Sequence, residues 1–508
     1  MSRSFYATLR RVNGNRPDQA GVLDTLSARQ NRLHRLALMP DGLSRADLDG
    51  CTAVAGSRIA VIGAGLAGLA AAWYLSQAGA SVTVFEAADR TGGRVLTDHD
   101  LVTDKYIEAG AELVGENHPL WWEFASIFGL QLVPLTTPED YEGRGLAVRL
   151  RLGDHDLTPG ERQQVDTDLL PVVDAIGQDA QDVDPEQPWA HHSATAFDSL
   201  SVSDRLDQLL GASSSLARQV IEFTIANDNC APVARQSYLG LLALVSAGRT
   251  GDDPAGLRGY WESTETHRCG GGNEQLAAHL AGTLPDVRLS SPVDAISVSS
   301  GNIGLDVSGN AGGSYSFDYA VMTASPFSWP SVQSDLPWNP ADRTISHGPA
   351  VKYISAVSTR FWEADRLAPS TLWDGIGSVW EGTDNQPEGG GGFALSAYSG
   401  GPYVLDATRY PGQLSQLYSS MTPFATRFVD WPSTPYVRTG YSVPAPGEVT
   451  TIARTLADPF GDRLFFAGEQ ACPGFFGYME GALLSGVTAG RRIVQALCPG
   501  AVPQMQTA

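Results

Sequence analysis

A glycine-rich turn between two apolar strands constrains the fold of this chain more than any other feature. Ile59 to Ile62 predicts a short buried strand, and the turn GAGLAG, from Gly63 to Gly68, follows it directly. The apolar run from Leu69 to Gln77 predicts a helix, and Ser81 to Glu86 predicts a second strand. Strand, helix and strand within about thirty residues form a βαβ unit, which favours an α/β fold with a parallel sheet.

The spacing of the glycines gives this turn a specific chemistry. Gly63 permits the tight turn, Gly65 lets the backbone approach a pyrophosphate, and Gly68 lets helix and strand pack closely. Free N–H groups at the helix N-terminus, where Ala67 lies, can bind phosphate oxygens. Glu86 ends the second strand, where a carboxylate accepts hydrogen bonds from an adenosine ribose. These five residues predict a dinucleotide site, and they leave open whether the ligand is FAD or NAD.

Size and charge limit the classes of function. The chain has 508 residues and a formal net charge of -22, so it can hold two domains and would be repelled by nucleic acid and anionic membranes. No stretch approaches the ~18 consecutive apolar residues of a membrane span, and the N-terminus lacks the apolar core of a signal peptide. We therefore expect a cytoplasmic protein with neither nucleic-acid nor membrane partners.

The cysteines indicate neither a cross-linked protein nor a metal-binding one. Their number is odd and no CxxC or cysteine–histidine ligand spacing occurs among them: Cys51, Cys230, Cys269, Cys472 and Cys498. We therefore expect no disulfide framework and no metal site.

Two distant segments resemble motifs of the flavin amine oxidase superfamily, which includes flavin monoamine oxidases and L-amino acid oxidases. The first is EAADRTGGRV, which begins at Glu86, and the second is RLFFAGE from Arg463 followed by GYMEGA from Gly477. The resemblance implies one FAD molecule that both ends of the chain hold jointly. It adds these cofactor-binding residues: Arg90, Gly93, Arg94, Gly468, Glu469, Gly477, Tyr478 and Met479.

The resemblance covers about residues 55–497 and implies the domain organisation. We expect an FAD-binding Rossmann-like fold of the two-dinucleotide-binding-domain type, with an inserted α+β substrate-binding domain. The FAD-binding segments are then 55–110, 265–330 and 455–497, the substrate-binding segments are 111–264 and 331–454, and a flexible tail follows at 498–508. Residues 1–54 are expected to form a helical extension that packs either on the body or on a second subunit, and the second arrangement implies a homodimer.

Weaker matches imply further site residues. Val293 resembles the valine whose backbone meets the adenine, and Lys352 matches the lysine that holds a water beside flavin N5 in the family. Tyr478 and Tyr441 resemble the two walls of an aromatic slot, and Trp431 is expected near the flavin ring. Where monoamine oxidases carry a cysteine that binds flavin covalently, this chain has glycine beside Tyr441, so noncovalent FAD is expected.

Glu112 helps to distinguish an amine oxidase from an L-amino acid oxidase. Typical L-amino acid oxidases have an arginine near this place, which binds the substrate carboxylate, whereas this chain has Glu112-Leu113. Glu112 is expected either to meet a cationic group or the substrate's ammonium proton, or to bond the FAD-binding backbone or Arg94. The carboxylate partner of an amino acid substrate would then come from another loop, for instance Arg235 or Arg438.

The resemblance predicts a flavin-dependent oxidoreductase that acts on CH–NH or CH–NH2 groups. Hydride transfer from the amine-bearing carbon to flavin N5 gives an imine, and reoxidation by O2 gives hydrogen peroxide. The substrate is expected to be a small amine or an amino-acid-like molecule. The alternatives are an L-amino acid oxidase, an FAD-dependent C–C dehydrogenase or desaturase, against which Lys352 and Tyr478 weigh, and a flavin-binding scaffold without turnover.

Overall fold

A parallel sheet of five short strands forms the centre of the protein. The structure is a computed structural model and describes residues 5–14, 52–211, 215–248, 257–299, 301–334 and 340–499. The strand order across the sheet is Leu464–Phe466, Tyr319–Met322, Arg58–Ile62, Ser81–Phe85 and Val287–Arg288. Every neighbouring pair runs parallel. The α/β fold expected from the sequence is therefore confirmed.

The βαβ unit has nearly the bounds that its sequence pattern predicts. Its helix runs from Leu66 to Gln77, and the strands on either side are Arg58–Ile62 and Ser81–Phe85. Ten of the helical residues, from Leu66 to Leu75, are buried. A helix that is apolar on all sides needs cover on all sides, because it has no polar face to turn to water.

The C-terminal helix Met479–Leu497 supplies part of that cover. It approaches the helix of the βαβ unit so closely that a Cβ built on Gly486 would lie 2.2 Å from the carbonyl oxygen of Ala67. Glycine is therefore required at this crossing. The contact brings the first and the last glycine motif of the sequence side by side.

Two further sheets complete the main framework. A four-stranded sheet has the order Gly313–Phe317, Asn302–Val307, Val293–Ser299 and Gln333–Ser334. A mixed seven-stranded sheet has the order Pro423–Asp430, Ala350–Val357, Phe393–Gly400, Gly377–Glu381, Leu367–Trp373, Ala147–Leu152 and His155–Asp156. Two-stranded ladders join Thr97–Asp98 to Ile107–Glu108, Leu132–Pro134 to His267–Cys269, and His347–Gly348 to Tyr441–Ser442.

Helices surround these sheets. Besides the two already described, they are Phe5–Val12, Thr52–Gly56, Pro119–Phe128, Pro138–Gly143, Pro159–Asp179, Ala194–Ser199, Val202–Leu210, Leu216–Asp228, Tyr238–Gly248, Leu257–Ser263, Glu274–Gly282, Phe361–Ala364, Tyr410–Leu417 and Arg454–Ala457. The strands of the five-stranded sheet fall in the predicted FAD-binding segments, and those of the seven-stranded sheet fall in the predicted substrate-binding segments. The domain boundaries themselves stay a prediction.

The N-terminal helix Phe5–Val12 packs on the body of the same chain. Phe5 meets Phe223 with ring centroids 5.4 Å apart, and Tyr6 meets Trp261 at 5.5 Å. Most of the predicted helical extension, residues 15–51, lies outside the described residues, as does the chain after residue 499.

Within the described residues, no helix combines the length and the apolar character that a membrane crossing needs. Cys230, Cys269 and Cys472 are buried and form no disulfide, whereas Cys498 is disulfide-bonded. The sequence predicted no disulfide framework, and at Cys498 the structure differs. Spacing along the chain cannot reveal such a bond, because the tertiary fold decides which thiols meet.

Candidate active site

A cavity of about 840 Å³ lies at the carboxyl ends of the parallel strands. This edge of an open parallel sheet is where ligands bind, because the loops that follow the strands diverge there. The cavity begins at the glycine turn and extends to Lys352 and Tyr478. The residues predicted for the cofactor and for the chemistry all line it, except Gly68.

The glycine turn has one packed side and one open side. A Cβ built on Gly68 would lie 1.9 Å from the carbonyl oxygen of Gly63, so any larger residue there would displace the backbone. A Cβ built on Gly65 would meet no protein atom within 4 Å. Gly65 is also the N-cap of the helix that begins at Leu66. The open side therefore exposes helix N–H groups to the cavity.

Glu86 stabilises the turn from the end of the second strand. Its carboxylate accepts one hydrogen bond from the Ala64 amide at 2.6 Å and another from the Ala88 amide at 2.8 Å. Burial raises the pKa of Glu86, although these amides and Arg90 act in the opposite direction. Each carboxylate oxygen can accept a second hydrogen bond, so Glu86 can bind a ribose hydroxyl as well.

Arg90 holds the loop of the first motif together. Its guanidinium donates to the carbonyl oxygens of Thr91 at 3.0 Å, Gly93 at 2.5 Å and Val95 at 3.1 Å. The tight glycine pair turns these carbonyls inward, where buried oxygens need donors. Arg90 stabilises the loop with three of its five N–H donors and lines the cavity, so its contact with a diphosphate stays a prediction.

Arg94 links the first motif to the last. One guanidinium nitrogen donates to the Gly440 carbonyl at 2.7 Å and to the Glu469 carboxylate at 2.9 Å. Glu469 is buried, and it also accepts hydrogen bonds from the Gly477 amide at 2.8 Å and from the Ser442 hydroxyl. Burial opposes ionisation of Glu469, but Arg94, His347 and Ser442 together lower its pKa below the ordinary value.

Lys352 lies in the fully buried strand Ala350–Val357. Its ammonium group donates to the carbonyl oxygens of Glu108 at 3.0 Å and Gly110 at 2.9 Å, and to the Glu112 carboxylate at 2.9 Å. Nζ also lies 5.4 Å from the centroid of the Trp380 ring. A lysine has three donor hydrogens, so the protein itself engages them all.

Glu112 is the centre of a buried charge cluster. Beyond Lys352, it accepts a hydrogen bond from the Trp380 indole at 2.9 Å and lies 3.3 Å from the Arg268 guanidinium. Arg94, the other partner that the sequence offered, forms an ion pair with Glu469. The two cations at Glu112 come from the strands Ala350–Val357 and His267–Cys269, which a local reading of the sequence could not place beside it.

Glu108 adds a carboxyl group to the same cluster. It accepts hydrogen bonds from the Asn273 amide at 2.6 Å and from the Thr97 hydroxyl at 3.1 Å. Burial, and the charge of Glu112, outweigh those hydrogen bonds and the attraction of Lys352, and raise the pKa of Glu108 to about 8. The group is therefore mostly protonated at neutral pH.

The two predicted aromatic walls both line the cavity. The Tyr441 hydroxyl donates to the carbonyl oxygen of Asp228 at 2.6 Å and bonds the Tyr398 hydroxyl. The Tyr478 hydroxyl bonds the Tyr260 hydroxyl, and its ring meets His118 at 5.4 Å. Both rings are held at their hydroxyl ends, which fixes their orientation.

Sequence reasoning missed several residues at this end of the cavity. Asp228, Glu265 and Tyr398 line it beside Tyr441 and Tyr478. None of the three belongs to a motif of the sequence, and they come from distant elements. No local signal identifies them.

Two expected alternatives find no place in the cavity. Arg235 and Arg438 are exposed, and neither is among the residues that line the cavity. His118 is the N-cap of the helix Pro119–Phe128. Trp431 and Val293 do line the cavity.

Comparison with known proteins agrees with this geometry. The profile of the family described as flavin containing amine oxidoreductase matches residues 66–494. An L-amino acid dehydrogenase from Synechocystis sp. is 24% identical over 465 residues, which cover 86% of this chain and 94% of that protein. The flavin-containing amine oxidase B of Homo sapiens is 25% identical over 468 residues, 88% of this chain and 87% of that protein.

Solved structures share the fold. A putrescine oxidase bound to putrescine superposes with a TM-score of 0.73 at 22% identity, covering 86% of this chain and 99% of that one. A cyclohexylamine oxidase from Brevibacterium oxydans gives a TM-score of 0.72 at 23% identity, covering 87% and 99%. The family profile spans most of the sequence, and it includes the helix of the βαβ unit and the C-terminal helix. This chain therefore belongs to the flavin containing amine oxidoreductase family.

Proposed function

We propose that this protein is an FAD-dependent amine oxidase. The observation that carries the proposal is a continuous cavity with a dinucleotide turn at one end and the pair Tyr441 and Tyr478 at the other. When bound, FAD accepts a hydride from the amine-bearing carbon and passes the electrons to oxygen, which yields an imine and hydrogen peroxide.

The residues present fit FAD. The open side of Gly65 leaves room for a pyrophosphate, and the N-terminus of Leu66–Gln77 offers N–H groups to it. Glu86 can bind the adenosine ribose, and Val293 the adenine. The N-terminus of Met479–Leu497 meets the same cavity. This helix N-terminus and Trp431 would hold the flavin ring.

We further propose that FAD is bound noncovalently. Among the described residues that line the cavity there is no cysteine. The residue beside Tyr441 is Gly440, which has no side chain to bind flavin. Its backbone carbonyl accepts a hydrogen bond from Arg94. Precipitation with trichloroacetic acid should therefore release all of the flavin into the supernatant.

The side chains position the substrate and exclude water. Tyr441 and Tyr478 present fixed ring faces between which an amine can lie with its C–H bond toward the flavin. Lys352 provides a positive charge at the cavity wall, and Glu112 fixes that charge in place. The three hydrogen bonds of Lys352 favour a role as a fixed cation. Holding a water would require one of them to be given up.

The electron acceptor needs a test of its own, because the relatives include both oxidases and a dehydrogenase. We propose oxygen. Flavin reduction by a panel of amines should be followed anaerobically, and reoxidation should then be compared between oxygen and a quinone. Fast reoxidation by oxygen with stoichiometric peroxide supports the oxidase. Reoxidation by the quinone alone would make the protein a dehydrogenase.

The role of the aromatic walls is tested by Tyr478→Ala and Tyr441→Ala. Removal of a wall should lower the rate constant of flavin reduction by about ten- to a hundredfold, since the amine loses its orientation. Tyr478→Phe keeps the ring and should retain most of the rate. If no amine reduces the flavin of the wild-type protein, the proposal fails.

A further inference from the structure

The helix Phe5–Val12 precedes residues 66–494, which match the family, yet it is built into the folded protein. Six of its eight residues are buried, including the basic residue Arg11. A helix buried on several sides belongs to the core rather than to the surface. Its role therefore follows from the elements that it contacts.

The helix Leu257–Ser263 is one of these elements. The Tyr6 ring meets the Trp261 ring with centroids 5.5 Å apart and an interplanar angle of 63°. Arg10 forms an ion pair of 3.4 Å with the Glu262 carboxylate. The helix has seven residues, which is too short to be stable by itself. Contacts with its neighbours therefore hold it in place.

Arg10 also contacts a second carboxylate. One of its guanidinium nitrogens lies 3.7 Å from Asp166, in the helix Pro159–Asp179. Asp166 and Glu262 thus share one guanidinium, and the three side chains are between 9% and 16% exposed. Carboxylates with so little solvent around them repel each other when the cation between them is removed. Arg10 therefore joins two helices through its charge.

The other side of the short helix faces the active site. Consecutive helical residues point in directions about 100° apart, so Tyr260 and Trp261 contact different neighbours. The Tyr260 hydroxyl bonds the hydroxyl of Tyr478, and the two rings are nearly perpendicular at 82°. A Cβ built on Gly248 would lie 2.4 Å from the Tyr260 ring, so the backbone there packs directly against it. The position of Tyr260 therefore depends on that of its own helix.

We propose that Arg10, together with Tyr6, is a positioning residue for the amine oxidation. The two residues hold the helix Leu257–Ser263, and this helix presents Tyr260 to the hydroxyl of Tyr478. Neither Arg10 nor Tyr6 is among the residues that line the cavity. The inference rests on the proposed function, in which the ring of Tyr478 orients the amine at the flavin.

The next residue along the chain provides a matched control. Arg11 forms an ion pair of 3.4 Å with Glu139, which belongs to a different helix, Pro138–Gly143. Arg10→Met and Arg11→Met therefore remove similar ion pairs from the same helix. Only the first of these ion pairs reaches the helix that carries Tyr260.

The rate constant of flavin reduction at saturating amine is the first measurement. Arg10→Met should lower it by about three- to tenfold, since the aromatic wall shifts, and Arg11→Met by less than about twofold. Arg10→Lys keeps a cation between the two carboxylates and should retain most of the rate. Arg10→Met/Tyr260→Phe should lose less than the product of the two single losses, because both changes act on the same contact of Tyr478.

Hydrogen exchange gives a second measurement, which needs no turnover. In the whole chain with FAD bound, the amides of residues 257–263 should exchange about five- to tenfold faster in Arg10→Met, because local opening becomes easier. Arg11→Met should leave these amides unchanged. Glu262→Gln removes the same ion pair from the other side and should accelerate the same amides, so the test does not depend on the folding of Arg10→Met.

Equal changes in Arg10→Met and Arg11→Met, in both measurements, would mean that the helix Phe5–Val12 only adds general stability, and the inference would be overturned. Fully multiplicative losses in Arg10→Met/Tyr260→Phe would overturn it as well. If no amine reduces the flavin of the wild-type protein, the proposed function is wrong. Unchanged exchange at residues 257–263 in Arg10→Met and in Glu262→Gln would instead refute the inference alone.

Discussion

Arg94 and Glu469 form an ion pair of 2.9 Å across 375 residues of sequence. Glu469 is nearly fully buried and Arg94 is partly exposed. The pair holds the loop of the first motif against the backbone that leads to the last helix. It therefore joins the two parts of the protein between which FAD is proposed to lie.

Glu469→Gln should destabilise the protein by roughly 3 kcal/mol, since it leaves the Arg94 guanidinium partly buried without its counter-charge. Because the pKa of Glu469 is lowered in the folded state, its contribution is present above the ordinary carboxyl pKa and is lost as the pH falls. Urea unfolding of wild type and variant between about pH 7 and pH 4 should show the difference shrinking toward acid. A constant difference would contradict the ion pair as its source.

The glycine turn offers a matched pair of variants. Gly68→Ala places a methyl group 1.9 Å from the Gly63 carbonyl and should destabilise the protein even without cofactor. Gly65→Val meets no protein atom within 4 Å of the new Cβ, so the apoprotein should fold normally and lose FAD affinity. Thermal unfolding of the apoproteins and titration with FAD separate the two effects. Normal FAD binding by Gly65→Val would contradict the position assigned to the pyrophosphate.

Glu108 should make the stability of the protein fall as the pH rises, whereas the contribution of Glu469 is lost as the pH falls. Its pKa is about 8 in the folded protein, so its contribution to stability is full below the ordinary carboxyl pKa and is lost as the pH rises toward 8. Glu108→Gln removes this loss. The stability of the variant relative to wild type should rise by roughly 2 kcal/mol between about pH 5 and pH 8.

Urea unfolding at four or five pH values measures this slope. Asp154→Asn, whose side chain is 96% exposed, is the control and should follow the wild-type curve. Parallel curves for Glu108→Gln and wild type would show that Glu108 is ionised in the folded protein.

Lys352 and Glu112 should behave as a coupled pair. Lys352→Met leaves Glu112 with Arg268 at 3.3 Å and removes donors from the carbonyls of Glu108 and Gly110, at a cost of about 3 kcal/mol. The double variant Lys352→Met/Glu112→Gln also removes the negative charge of Glu112, which Lys352→Met alone leaves without its lysine partner. The double variant should therefore lose about 1 to 3 kcal/mol less than the sum of the single variants.

A double-mutant cycle by urea unfolding, with FAD bound, gives this coupling energy. The absorbance of the flavin in each variant shows whether the cofactor environment is kept. Additive losses would mean that the 2.9 Å contact contributes no net stability.

The sequence determined the local parts of this protein. The turn from Gly63 to Gly68 dictates a βαβ unit, because glycine spacing and apolar periodicity act over a few neighbouring residues. The same applies to the motif GYMEGA from Gly477, where the C-terminal helix begins at Met479. Both motifs also carried the family resemblance, which the comparisons confirm.

Only the tertiary structure decided which charges meet. No local sequence pattern identifies the ion-pair partner of a carboxylate, so the sequence left several roles for Glu112. The fold places Lys352 beside it. Asp228 and Glu265 carry no motif at all, and the chain between them must fold before they face one cavity. Electrostatic contacts depend on distance in space, whereas sequence patterns report only distance along the chain.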